Sequence, residues 1–359
     1  MIVLAAGSLL TSVAGAQVVP RPDEATRDGD VVSVGAEGVG VRGESGQVDL
    51  IPWDRVEAVR GGMQDSAQEY SSLSESLWRA RRRLSRGDAP GAEPLFERAA
   101  RGRGAAVGPT SGLIYEGLAR CRLERGARTG ALDAWVLMIS SGSMPRVAQR
   151  DEPAFSSPDQ ICPELPPMWL PTDATRVFSQ SSGPEGLGIE SISGRAAAIW
   201  KLYRAAAADE FAEPADLPPL AAGADPGWAF IDLCVRSRAG TDAERAQSRK
   251  GLTAMLESSS GGWREAWIRA AVGRSLIREA SPEEKLSGVA ELMHLPARLW
   301  RQSPYLTGMV MRDAAQALLD LGLNAEATRV RDDLARLLPG HPALQLPPLN
   351  AMPAAGVTH

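Results

Sequence analysis

Cysteine, histidine, lysine and asparagine are all scarce in this chain of 359 residues. The cysteines are Cys121, Cys162 and Cys234; an odd number cannot pair completely, and no CxxC or Cys/His spacing implies a zinc site. A Cys162–Cys234 disulfide stays open for an oxidising compartment, while Cys121 falls inside a helical pattern as a small apolar residue. The histidines are His294, His341 and His359, none at i, i+4 from another ligand-type residue. HExxH, GxSxG and P-loop motifs are absent, so those hydrolase and nucleotide chemistries have no anchor, and no metal or cofactor is implied. Only Lys201, Lys250 and Lys285 among 39 basic residues are lysine, a bias that lowers the functional weight of any one arginine cluster. Against 44 acidic residues the net charge is −5, which argues against broad nucleic-acid binding. Long hydrophobic runs are missing except at the start, which excludes a polytopic membrane protein.

That first run, Met1 to Ala16, ends in Ala14-Gly15-Ala16, the small-x-small pattern of a signal-peptidase site before Gln17. A basic n-region is missing, since no charge precedes Arg21. Residues 1–16 therefore read as a signal peptide, or as an anchor left in place. The expected address is exported, periplasmic or secreted, with membrane attachment only if the segment is uncleaved.

Residues 17–64 read as a linker and a small β unit. Val31–Val34, Val39–Val41 and Val48–Ile51 are short β-type runs separated by glycine turns, closed by Ile51–Val59. They predict an antiparallel meander of three or four strands, too small for a core of its own. Gly38-Val39-Gly40-Val41-Arg42-Gly43 matches GxGxxG, but another strand-like run follows where a dinucleotide site needs a helix. These are hairpin glycines.

From Asp65 onward the apolar period changes from two to about 3.6. Leu73, Leu77, Ala80 and Leu84 mark one helix, and Asp88 caps the next, which carries Ala92, Phe96 and Ala99. Thr110 or Ser111 caps a third, with Tyr115, Leu118 and Ala119. After Gly126 come Ala131, Trp135 and Met138. The run Gly87, Ala92, Phe96, Ala99 and the run Gly126, Ala131, Trp135, Met138 share one internal spacing. Near the C-terminus Met311, Ala315, Leu318, Gly322, Ala327, Leu334 and Pro339 fall at matching intervals, with Arg331 in place of the aromatic. This spacing resembles a tetratricopeptide repeat, in degenerate copies near 73–104, 112–145 and 308–342. The resemblance implies stacked antiparallel helix hairpins whose groove holds a protein or peptide. The fold class is thus mainly α, α-solenoid-like, behind a small antiparallel β unit.

Helical repeats are expected over 65–141 and 192–340, and a flexible tail over 341–359. Between the helical blocks, residues 142–191 are rich in Pro, Ser and Gly and read as a long loop, functional or disordered, with one short helix near Asp173–Ser179. Asp225-Pro226, Thr241, Ser281-Pro282-Glu283-Glu284, Ser303-Pro304 and Asn324 mark later helix starts. His341 is placed at a helix end, where an imidazolium suits the dipole.

Candidate partner-binding residues in the groove are Trp78, Arg82, Tyr115, Trp263, Trp267 and Trp300, although each of the aromatics, taken singly, reads as core before it reads as contact. Glu265, beside Trp263 and Trp267, reads as part of a solvated helix face. The basic stretch Arg79–Arg103 reads as solubilising arginine, or as a patch for an anionic partner. The leading expectation is an exported, non-catalytic scaffold that binds protein or peptide and no nucleic acid. The alternatives are an envelope-anchored component associating through its N-terminal segment or β unit, and an enzyme with a site near the 142–191 loop.

Overall fold

The computed structural model describes residues 15–22, 24, 29–142, 155–184, 189–219, 225–259 and 261–352. The apolar segment through Ala14, residues 143–154 of the long loop and residues 353–359 of the expected tail lie outside them. Two compact units divide the chain: residues 1–126 with 137–144, and residues 127–136 with 145–359.

In the first unit, alternation and glycine turns produce two small antiparallel sheets. Strands β1 (Gln17–Pro20), β2 (Asp30–Gly35), β3 (Gly38–Arg42), β4 (Val48–Ile51) and β5 (Val56–Arg60) pair as β1-β5 and β2-β3-β4. The meander is β2-β3-β4. The closing run instead turns through a short 3-10 segment, Trp53–Arg55, and β5 pairs with β1, a strand inside what reads as linker. Gly38 has φ +137°, and a Cβ there would collide with the Ile51 carbonyl, so it is a hairpin glycine.

Helices α1 (Gln64–Gln68), α2 (Ser71–Leu84), α3 (Ala89–Ala100) and α4 (Pro109–Glu124) follow, α2 packed on α3 and α3 on α4. Asp88 caps α3, accepting from the Gly91 N–H at 2.9 Å. Gly117 leaves room for the Phe96 ring between α3 and α4. The start of α4 differs from expectation. Its N-cap is Gly108, while Thr110 and Ser111 lie buried inside the first turn. The capping acceptor comes from the β2–β3 turn: Glu37 Oε2 accepts from the Ser111 N–H at 2.8 Å, and Oε1 accepts from Ser111 Oγ at 2.6 Å and Arg103 Nη1 at 2.7 Å. A carboxylate at a helix N-terminus meets free N–H groups and the positive end of the dipole. Thr110 Oγ1 donates to the Glu37 carbonyl and accepts from the Trp53 N–H. Trp53 in turn stacks on Tyr70 at 4.9 Å and donates Nε1–H to Gly35. The β unit, too small to stand alone, is thus bolted to the helices through buried polar contacts.

Helix α5 (Arg128–Ser140) contributes to both units. The second unit continues with α6 (Asp173–Ser179), α7 (Gly194–Asp209), α8 (Pro226–Ala239), α9 (Asp242–Leu256), α10 (Trp263–Leu276), α11 (Pro282–His294), α12 (Pro304–Asp320) and α13 (Asn324–Leu337). The pairs α8/α9, α10/α11 and α12/α13 are antiparallel hairpins, and α7, α8, α10 and α12 touch in that order as one layer. Asp225 caps α8. Thr241 and Glu244 form a complete capping box on α9, and Ser281 caps α11. Asn324 is no cap: it is the first residue of α13, and the N-cap position is Leu323. Gly273 and Gly288 let α10 and α11 meet closely, since a Cβ on Gly288 would sit 2.8 Å from the Gly273 carbonyl oxygen. After α11 a π turn, Leu295–Leu299, carries the chain past Pro296.

Residues 341–352, expected as tail, are packed instead: short 3-10 turns at Pro342–Gln345 and Leu349–Ala351 bury Ala343 and Leu349. Apolar side chains at those two positions explain the difference. His341 is buried as well. Its Nδ1 accepts from the Ala343 N–H at 3.1 Å, which leaves Nε2–H to donate to the Tyr305 carbonyl at 3.0 Å. Burial lowers its pKa to about 4, so it is a neutral cap of the 3-10 turn and carries no charge for a helix dipole.

Replacing Glu37 by Ala removes the α4 cap and the Arg103 partner together. Urea unfolding should show a loss of about 2–3 kcal/mol, and Glu37→Gln about half of that, because charge-assisted bonds weaken when the acceptor becomes neutral. An unchanged midpoint for both variants would refute the bolting role.

Candidate functional site

Of the six positions singled out above, Trp78, Arg82 and Tyr115 belong to the first unit and Trp263, Trp267 and Trp300 to the second. In the first unit, Trp78 is half-buried on α2, with the guanidiniums of Arg21 and Arg82 5.0 and 5.8 Å from its ring. Tyr115 is buried in α4 and donates its hydroxyl to the Gly104 carbonyl. In the second unit, Trp263 and Trp267 come together with Phe230: Trp267 is 5.1 Å from Trp263 and stacks on Phe230 at 5.8 Å. Trp267 is fully buried and Trp263 partly so, under Arg264. Trp300 lies beyond the π turn, partly buried, with Arg301 over its ring.

Much of the basic stretch is paired within its own unit. Arg81 bonds Asp54 and Glu24 at 2.7 and 2.6 Å, Arg103 bonds Glu37, Arg79 bonds Glu75, and Arg83 bonds Asp88. Glu265 is buried, against expectation. It caps the start of α10 by accepting from the Gly261 N–H at 2.6 Å and pairs with Arg269 at 2.8 Å; that backbone bond, before all else, lowers its pKa.

The Pro-rich loop holds the main surprise. Residues 157–170 contain no helix or strand, yet Ile161, Cys162, Leu165, Met168, Trp169 and Leu170 are buried. This strap lies against side chains of α5, α7, α8, α10 and α12. Trp267 Nε1 donates to the Pro163 carbonyl at 3.3 Å, Arg128 to the Glu164 carbonyl, and Tyr203 to the Leu165 carbonyl. Arg195 Nη2 donates to the Asp159 carbonyl at 3.2 Å, and a Cβ on Gly227 would strike that same oxygen. Trp169 returns its Nε1–H to the Tyr203 carbonyl at 3.1 Å, and the Leu170 N–H donates to Tyr305 Oη at 3.3 Å. Trp267, read as core before contact, is thus buried with its Nε1–H on the protein's own backbone.

Beside the strap a ladder of charges crosses the α7, α8, α10 and α12 layer. Asp209 and Glu210 end α7, where acid groups oppose the helix dipole. Arg274 Nη2 lies 2.7 Å from Glu210 and its Nε 2.6 Å from Asp313. Arg238 bridges Asp209 and Glu210 at 2.9 and 3.0 Å, Arg278 bonds Asp209, and Arg312 bonds Asp313. Burial pushes Glu210 up to about 7, the Arg274 charge opposing and the Asp313 and Asp209 charges reinforcing the shift. The cleft here, between Met168, Cys234 and these groups, has a cavity volume of about 10 Å³, room for one water. Polar groups converging on an acid with a raised pKa are what an enzyme site requires, and here they surround room for a water.

All three cysteines are free and buried, and burial raises the Cys121 and Cys162 thiols to about 12 and the Cys234 thiol further. Among the described residues no group of three or more His, Cys, Asp or Glu could hold a metal ion. No helix among them is long and apolar enough to cross a membrane. One open surface stands out. The Gly43 N–H donates to the Gln47 carbonyl, so the antiparallel alternation turns the N–H and C=O of Val48 and Leu50 away from β3. No described strand pairs on that side, and the two side chains are 48% and 45% exposed.

Neither family models, nor curated proteins, nor solved structures match this chain.

Two buried groups bound the pH range of stability. His341 has a folded pKa below the ordinary 6.5, so its contribution is present above pH 6.5 and lost as pH falls through about 4. Glu210 has a folded pKa above the ordinary 4.5, so its contribution is complete below pH 4.5 and lost as pH rises through about 7. Each amounts to, at most, on the order of 3 kcal/mol. Urea unfolding across this range should show the acid flank flattened by His341→Asn and the upper flank flattened by Glu210→Gln. Unchanged slopes in either variant would contradict the assignment of that flank.

Proposed function

We propose that this chain is an exported, non-catalytic scaffold of tetratricopeptide-like hairpins that holds another protein. The single observation that carries the reading is the open β4 edge of the first unit. Val48 and Leu50 offer unpaired main-chain groups and apolar side chains at the same two positions, the arrangement that accepts a strand from a partner. Support for the repeat reading comes from the small-residue contacts, Gly117 against Phe96 and Gly273 against Gly288, at hairpin interfaces. Support for a non-catalytic role comes from the charge ladder, whose acids are each held by guanidinium groups around a space fit for one water.

A photo-crosslinking residue at position 48 or 50 should give a covalent adduct with a discrete protein in the envelope or secreted fraction. The same residue at Leu286, also exposed and apolar, should give none. Adduct formation should fall at least tenfold when the other β4 position is made lysine, since a charged edge disfavours strand addition. No adduct at β4, or an equal one at 286, overturns the reading.

Cleavage after Ala16 leaves Gln17, the first residue of β1, as the mature terminus. Sequencing the N-terminus of the mature protein should return Gln17; an intact Met1 would refute cleavage and favour the anchored alternative.

A further inference from the structure

Helices α7, α8, α10 and α12 of the second unit touch in sequence, α7 on α8, α8 on α10 and α10 on α12, and α9, α11 and α13 pack on their hairpin partners. The strap is laid on that layer and belongs to none of its elements. Four of its polar contacts share a character: Arg128, Arg195, Tyr203 and Trp267, from three helices, each donate to a different strap carbonyl. Side-chain donors that read main-chain oxygens, with Leu165 and Trp169 buried between them, are how a protein surface holds a peptide. Gly227 adds a close approach for the Asp159 carbonyl, and Arg264 pairs with the Asp159 carboxylate.

We infer that residues 157–170 are a resident peptide ligand of the α7, α8, α10 and α12 layer, supplied in cis. The occupant this face takes is an irregular, proline-rich segment with large apolar anchors, and in this chain that segment is its own. A competing peptide must displace the strap before it can bind. The inference extends the scaffold reading to a second face, and its test does not involve the β4 edge, so either can fail alone.

The test uses the full-length chain with residues 157–170 replaced by a Gly/Ser segment of equal length, and a fluorescent synthetic peptide of residues 157–170 as probe. The variant should keep helical circular dichroism and cooperative thermal unfolding, and should bind the peptide one-to-one by anisotropy. The unaltered protein should bind it at least tenfold more weakly, because its face is filled. A peptide carrying Leu165→Ala and Trp169→Ala should also bind the variant at least tenfold more weakly. Three outcomes would each overturn the inference: a variant that loses cooperative unfolding unless peptide is added, which makes the strap a core element; a folded variant that does not bind; or equal binding by variant and unaltered protein.

Discussion

A buried stretch of backbone without helix or strand must find partners for its polar groups elsewhere. That constraint organises the second unit. Residues 157–170 have no ladder to satisfy their carbonyls, so their own turns supply some donors, as where the Leu165 N–H meets the Cys162 carbonyl, and the surrounding helices supply others one at a time. Proline eases the demand, because Pro158, Pro163, Pro166 and Pro167 bring no N–H that needs an acceptor. A proline-rich peptide is therefore cheaper to bury than one of ordinary composition, provided that donors face its oxygens. Tryptophan and tyrosine suit the task, since each joins a large apolar body to one donor. The excess of Trp over Phe and Tyr in the composition finds a structural use here.

Arginine serves the same economy among the charges. Arg274 reaches Glu210 with one arm and Asp313 with its Nε, and Arg238 spans Asp209 and Glu210. A lysine could not make these forked contacts from one position, because its donors sit on a single nitrogen. The shortage of lysine looks like a coding bias in the sequence, yet the ladder across α7, α8, α10 and α12 requires the fork. Removing Arg274 would leave two buried carboxylates short of a partner, a far larger penalty than the net worth of the pair.

What the residues announced locally was legible. The change of period at Asp65, the caps at Asp88, Asp225 and Thr241, the short helix at 173–179 and the small-residue contacts all follow from neighbours within a few positions. What failed was non-local. The cap of α4 is Glu37, more than seventy residues earlier, whereas the local signal points to Thr110 and Ser111. Strand β5 finds β1 across the whole meander, and no local signal names that partner. Pro342 and Gly340 look like a chain leaving the fold, while Ala343 and Leu349 hold it down. In the long loop the proline signal overshadowed a second one. Ile161, Leu165, Met168, Trp169 and Leu170 are too apolar for a solvated loop, and that content pointed to burial.

The strap is held by six buried apolar side chains and by hydrogen bonds with α5, α7, α10 and α12, against the conformational entropy of ordering residues 157–170, a cost of about 1.5 kcal/mol for each residue that is smaller where proline already fixes φ. A helix in the same place would satisfy its own carbonyls and would not depend on the layer below. The strap closes the carbonyls of Ser157, Ile161, Cys162 and Pro166 in its own turns and takes donors for those of Asp159, Pro163, Glu164 and Leu165 from α5, α7 and α10. Burial therefore comes here without a hydrogen-bond ladder: the helices complete theirs internally, while this segment is completed in part by its neighbours.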